Sequence, residues 1–194
     1  MNFDKIISKV VGGEKIQYGF LFGNEKIVFM KRGASSGLKG YGDKYLKMAH
    51  RLHERMGATV ICASNPEAEH ASLDEKAIRW VVSKMGFSHF EVYFVGTSDG
   101  GYKNLTLASR FTETVKYLGI NSSLIDLDTF KEKINALPNV EKIFVYGSKD
   151  YDYDEIVPAL SKMSAPHLKL MEVEGADHDF TGMLDKFISL VDML

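Results

Sequence analysis

The feature of this chain that most narrows its folding options is a repeated change of hydrophobic period. Short runs that are apolar throughout alternate with longer segments whose apolar residues recur every three or four positions. Ile27-Val28-Phe29-Met30 is one such run, and Leu46, Ala49, Leu52 and Met56 after it share a helical face ended by Gly57. Thr59-Val60-Ile61-Cys62 then precedes a second helical face of Leu73, Ala77, Trp80, Val81 and Met85, closed by Gly86. Further strands are expected from Glu91 to Val95, Val115 to Ile120, Val140 to Tyr146 and His167 to Val173. Helices are expected from about Tyr102 to Thr112, around Phe130 to Leu137, through Ile156, Leu160 and Met163, and from Met183 to Leu194. A strand that is apolar on both faces has no side suited to water, so it belongs in a sheet covered twice. The expected fold class is α/β: a mostly parallel twisted sheet with helices on both faces.

The N-terminus follows a different pattern. Runs from Lys5 to Val10 and Lys15 to Phe22, with turns at Gly12-Gly13 and Gly23-Asn24, predict antiparallel strands before the alternation begins. No repeat or linker divides the 194 residues, so one domain over 1–194 is expected. Twenty-four basic residues against 26 acidic ones, with no block of like charge, exclude the concentrated positive surface that nucleic-acid binding needs. A lone cysteine, Cys62, cannot form an internal disulfide and suits a reducing compartment. No apolar run approaches the length of a signal peptide core or a membrane span, and the expected location is cytoplasmic.

In parallel sheets the functional groups gather in loops at the carboxyl ends of the strands. The run Val92 to Val95 enters Gly96-Thr97-Ser98-Asp99-Gly100-Gly101, a G-x-S-x-G between a strand and a helix. Such a turn is too sharp for side chains at the flanking positions, and it lifts the serine above the sheet. Gly33-Ala34-Ser35-Ser36-Gly37 fits the same pattern, but no helix follows it directly, so Ser98 is the candidate nucleophile and Ser35 or Ser36 the alternative. A serine hydroxyl needs an adjacent base, usually a histidine fixed by a carboxylate. Gly147-Ser148-Lys149-Asp150 offers a carboxylate just past a strand, with Asp152 and Asp154 close by. Glu174-Gly175-Ala176-Asp177-His178 places a histidine in the last strand-to-helix loop.

Taken in order, these motifs make the chain resemble the α/β-hydrolase superfamily, in particular its small lidless serine esterases. The resemblance runs from about Lys15 to Leu194 and also rests on the glycine loop after Met30 and on Val157-Pro158. It implies a catalytic Ser98, Asp150 and His178, with an oxyanion hole formed by the backbone amides of Ala34 and Asp99. Arg32 stands where such proteins often carry a histidine, and it is a candidate for holding an anionic part of the substrate. Val157-Pro158 spaces better from Asp154 than from Asp150, which leaves the acid open. The stretch from Asn121 to Asn139 has room for one helix but not for a cap domain. The expected function is hydrolysis of a carboxylic ester or thioester of a small to medium substrate, with no cofactor. The alternatives are a non-catalytic binding protein of the same fold, or a phosphate- or nucleotide-binding protein using the Gly33 to Gly42 loop. That loop, flanked by Lys31, Arg32 and Lys39, lacks G-x-x-x-x-G-K-[ST] and G-x-G-x-x-G. An edge strand near the N-terminus offers a surface for a homodimer.

The remaining residues read more plainly. His50 and His53 with Glu54 have a spacing that can hold a metal, but they lack a third ligand, and a helix surface is the simpler reading, so no metal is expected. Cys62 is a small buried apolar residue, and Trp80 belongs to the core.

Overall fold

The structure, a computed structural model, describes residues 1–34, 37–66 and 70–194. Eight strands form one sheet: β1 Lys5–Val11, β2 Glu14–Leu21, β3 Asn24–Lys31, β4 Ala58–Ala63, β5 Glu91–Thr97, β6 Thr114–Ile120, β7 Glu141–Lys149 and β8 Leu168–Asp177. The helices are α1 Lys44–Met56, α2 Ala71–Met85, α3 Asp99–Ala108, α4 Leu127–Asn135, α5 Tyr153–Ser161 and α6 Leu184–Ser189. The sheet order is β1-β2-β4-β3-β5-β6-β7-β8. Pairings from β4 to β8 are parallel, and β2 is antiparallel to both its neighbours. Gly12 and Gly13, at φ 60° and 85°, make the two-residue turn between β1 and β2, whose twist requires positive φ at both positions.

Two cores account for the apolar strands. Ile27 and Phe29 of β3 and Val92 and Phe94 of β5 pack on α2, α3, α4 and α5. Their neighbours Val28, Met30, Tyr93 and Val95 face the opposite way, onto α1 and α6. Side chains of a strand alternate between faces, so a run with no polar member is what burial on both sides demands. This is the α/β sheet with an antiparallel start expected above, and the chain between β6 and β7 carries α4 alone, with no cap domain.

Local details differ from the expectations. Asp43 does precede α1, but at φ 58° its side chain makes no capping hydrogen bond. Trp80 is half-buried, not core: its ring stands edge-on to Phe20 at 5.2 Å while Asp74 and Ile78 take the inward face of α2. Asp74 is buried because Lys31 and Tyr18 reach it, at 2.6 and 2.8 Å. Among the described residues no helix is long and apolar enough to cross a membrane.

Candidate active site

Between Thr97, the last residue of β5, and Asp99, the first of α3, Ser98 alone makes the turn. Its backbone sits at φ 52°, ψ −133°, a strained conformation for a residue with a Cβ. The strain is held by backbone bonds on both sides, from the Ser98 amide to the Ile120 carbonyl (3.0 Å) and from the Gly101 amide to the Ser98 carbonyl (2.9 Å). The flanking glycines are sterically required. A Cβ on Gly96 would lie 2.4 Å from the Gly101 Cα, and one on Gly100 would lie 2.2 Å from the Arg32 carbonyl oxygen.

Ser98, His178 and Asp150 reach one another from three separate strand ends. His178 Nε2 lies 2.9 Å from Ser98 Oγ, and His178 Nδ1 lies 2.6 Å from Asp150 Oδ2. The Asp150 side chain is only 1% exposed, and its other oxygen accepts the Asp152 amide at 2.8 Å. Of the three neighbouring carboxylates it is Asp150 that meets the imidazole, since Asp152 accepts the Leu124 amide and Asp154 points into solvent. An ionised carboxylate only accepts hydrogen bonds, so this pairing assigns the proton to Nδ1 and leaves the Nε2 lone pair facing the Ser98 hydroxyl.

The loop after β3 approaches Ser98 closely, a Cβ on Gly33 coming within 3.0 Å of the Ser98 Cβ. Gly33 donates its amide to Thr97 Oγ1 (2.9 Å), and that hydroxyl also bonds the Tyr45 hydroxyl (3.0 Å). Ala34, the next residue, lines the cavity with Ser98. Asp99 opens α3, so its amide has no partner within the helix. Its carboxylate is engaged elsewhere, accepting Asn65 Nδ2 (2.9 Å) and Lys103 Nζ (2.8 Å). Arg32, expected to meet substrate, is instead turned into the protein. It is 7% exposed, its Nη1 donates to the Gly33 carbonyl at 3.4 Å, and it does not line the cavity. Burial lowers its pKa, with Tyr45 and Cys62 opposing. It supports the loop from beneath.

Among the described residues of the Gly33 to Gly42 loop, two amides are already used. Gly40 donates to the Gly37 carbonyl and Gly33 to Thr97, while the Lys39 and Gly40 carbonyls accept Tyr45 and Asp43. Ser35 and Ser36, the alternative nucleophiles, lie outside the described residues.

Four participants were not singled out from the sequence. Asn121, at φ 43° and 2% exposed, donates Nδ2 to the carbonyls of Asp177 (3.1 Å) and His178 (2.9 Å) and accepts the Gly147 amide (2.8 Å). It ties the end of β6 to the loops carrying Asp150 and His178. Ser123 Oγ is 3.1 Å from Ser98 Oγ. Tyr151 stacks on the His178 ring at 4.3 Å, with its hydroxyl 3.1 Å from Nε2. Lys44 lines the cavity of about 410 Å³ that also contains Ser98 and His178. Their only sequence signal is position, since Asn121, Ser123 and Tyr151 follow strand ends and Lys44 starts the helix after the glycine loop.

The other titratable candidates have structural partners. His50 bonds the Asn2 carbonyl (3.0 Å) and His53 the Ala58 carbonyl (2.8 Å). Burial pushes the Cys62 thiol up to about 12, so it is no thiolate at neutral pH. Among the described residues no group of three or more His, Cys, Asp or Glu is placed to hold a metal ion.

No protein-family model matches the chain, and no curated protein matches it. Solved structures do. Est1E from Butyrivibrio proteoclasticus is 11% identical with a TM-score of 0.71, over 97% of this chain and 96% of its own. An alpha-beta serine hydrolase homologue from Coxiella burnetii is 13% identical with a TM-score of 0.73, over 98% and 97%. XC6422 from Xanthomonas campestris, described as an a/b serine hydrolase without lid, is 14% identical with a TM-score of 0.69, over 97% and 92%. At these identities the likeness is one of fold: the chain has an α/β-hydrolase fold without a cap domain.

Proposed function

We propose that the chain is a serine hydrolase that cleaves a carboxylic ester or thioester of a small to medium acyl group. The observation that carries this reading is the continuous hydrogen-bonded line from Asp150 through His178 to a serine strained at a strand–helix turn. His178 Nε2 takes the Ser98 proton as Oγ attacks the substrate carbonyl. The amides of Ala34 and Asp99 hold the resulting oxyanion, each such donor contributing about 3 kcal/mol to the transition state. The tetrahedral species collapses, His178 returns the proton to the departing alcohol or thiol, and the acyl group remains on Ser98. Water, deprotonated by the same imidazole, then releases the acid. Asp150 keeps the proton on Nδ1 and stabilises the imidazolium.

Labelling with a fluorophosphonate probe, with the modified peptide located by mass spectrometry, tests this directly. Modification of Ser98 that disappears in His178→Ala is the expected result. Hydrolysis of an ester and thioester panel should fall at least about a thousandfold in Ser98→Ala. An unlabelled Ser98 in folded protein overturns the reading in favour of a non-catalytic binding protein. Labelling at Ser35 or Ser36 transfers the nucleophile to the other pentapeptide.

A further inference from the structure

We infer that the cavity beside Ser98 contains an anion subsite, in which the Lys44 ammonium receives a carboxylate carried by the acyl group of the substrate. This rests on the serine-hydrolase reading for its chemistry, while the subsite has its own observations. Lys44 is 9% exposed, yet it lines the same cavity as Ser98 and His178. Its head group sits among aromatic faces, with Nζ 4.6 Å from the Phe187 ring centroid and 5.4 Å from that of Tyr45. Among the described residues no carboxylate lies within 4.0 Å of it.

The other buried lysines show what a structural role looks like here. Lys31 pairs with Asp74 at 2.6 Å, and Lys142 donates to the carbonyls of Leu137 and Val140 at 2.5 and 2.7 Å. Each head group is satisfied by protein oxygens, as buried cations require. Among the described residues the Lys44 ammonium meets ring faces and no hydrogen-bonding oxygen, and the rings recover part of the desolvation cost. Burial lowers its pKa, and Asp179 and Asp177 pull it back up without reaching it. Asp179 lines the same cavity from its exposed rim without coming within 4.0 Å of the ammonium, and the Asp177 carboxylate is engaged by the Thr181 amide at 2.8 Å. The missing partner therefore comes from outside the chain. The cavity constrains that partner, since about 410 Å³ with Ile120 and Phe187 in its wall suits a short aliphatic stretch between the anion and the carbonyl at Ser98. Half-esters or half-thioesters of short dicarboxylic acids have this form.

The test compares para-nitrophenyl pentanoate with para-nitrophenyl hemiglutarate, which share a leaving group and chain length and differ in a terminal methyl or carboxylate. The wild type is expected to prefer the hemiglutarate in kcat/KM, and Lys44→Met to lower the hemiglutarate-to-pentanoate ratio about tenfold. A wild type without that preference, or a ratio unchanged by Lys44→Met, overturns the subsite. A binding measurement separates this from failure of the hydrolase reading. Ser98→Ala protein is titrated with monomethyl glutarate and with methyl pentanoate by ligand-observed NMR. Binding of the glutarate alone, lost in Ser98→Ala/Lys44→Met, supports the subsite even if Ser98 takes no fluorophosphonate. No binding of the glutarate, or binding insensitive to Lys44→Met, overturns it.

Discussion

At the scale of single residues, the candidate site depends on groups that do not line its cavity. Asn121 is the clearest case, because three of its side-chain hydrogen bonds hold the loops that present Asp150 and His178. Asn121→Gly keeps the left-handed backbone while removing those bonds and loosening the unfolded chain, so it should cost about 2–3 kcal/mol of stability. Asn121→Ala adds about 1 kcal/mol of backbone strain on top. With the His178 carbonyl released, the imidazole spends less time aligned on Ser98, and kcat should fall about tenfold with KM little changed. Thermal unfolding together with steady-state kinetics separates the two effects. Stability lost with kcat retained would confine Asn121 to folding. Nothing in the sequence marks this asparagine, since a polar residue after a strand is ordinary until its partners from distant loops are known. Arg32 shows the converse: its charge suggests substrate contact, and its burial removes it from the cavity.

At the scale of elements, two identical-looking pentapeptides separate on steric grounds. A Cβ on Gly100 would strike the Arg32 carbonyl, which is backbone and cannot move aside, whereas a Cβ on Gly37 meets nothing within 4 Å. Gly100→Ala should therefore destabilise by about 3 kcal/mol and Gly37→Ala by less than about 0.5 kcal/mol, measured by urea unfolding. The strands were legible because burial on both faces leaves an unbroken apolar run. Helix ends were less so. α3 begins at Asp99, before the expected Tyr102, because the elbow turns directly into it, and α6 tightens into a 3₁₀ turn at Leu190–Met193. That C-terminal turn is clamped to α1 by Arg51, whose Nε and Nη2 each lie 2.6 Å from Asp192. Hydrogen bonds from Arg51 lower the Asp192 pKa. A carboxyl depressed in the folded state stabilises it above its unfolded pKa, and that contribution is lost as pH falls through the folded value. The Tm gap between wild type and Asp192→Asn should be widest at neutral pH, close below about pH 4, and shrink with added salt. A gap that persists at lower pH would show that packing, not charge, makes the clamp.

At the scale of the whole molecule, the site was legible because sequence order becomes spatial order across half of the sheet. From β5 onward each new strand joins on the same side, giving β3-β5-β6-β7-β8, so loops after β5, β7 and β8 lie near one another along one edge of the sheet. Ser98, Asp150 and His178 come together for that reason, and β6 between them supplies Asn121. The other half resists such reading, because β4 inserts between β2 and β3 and no local pattern records the exchange. The same topology decides access. Between β6 and β7 the chain forms only α4, and Phe130 and Ile134 of that helix are buried against the sheet, so it is core and not a cover. A lid makes catalysis depend on the event that opens it, and where a lipid or emulsion surface is that event the rate rises as the surface forms. With no cap to displace, hydrolysis of a short-chain ester should follow a single hyperbola as the substrate passes from monomeric solution into emulsion. A rate that rises sharply at the solubility limit would mean that some segment closes over Ser98 and moves.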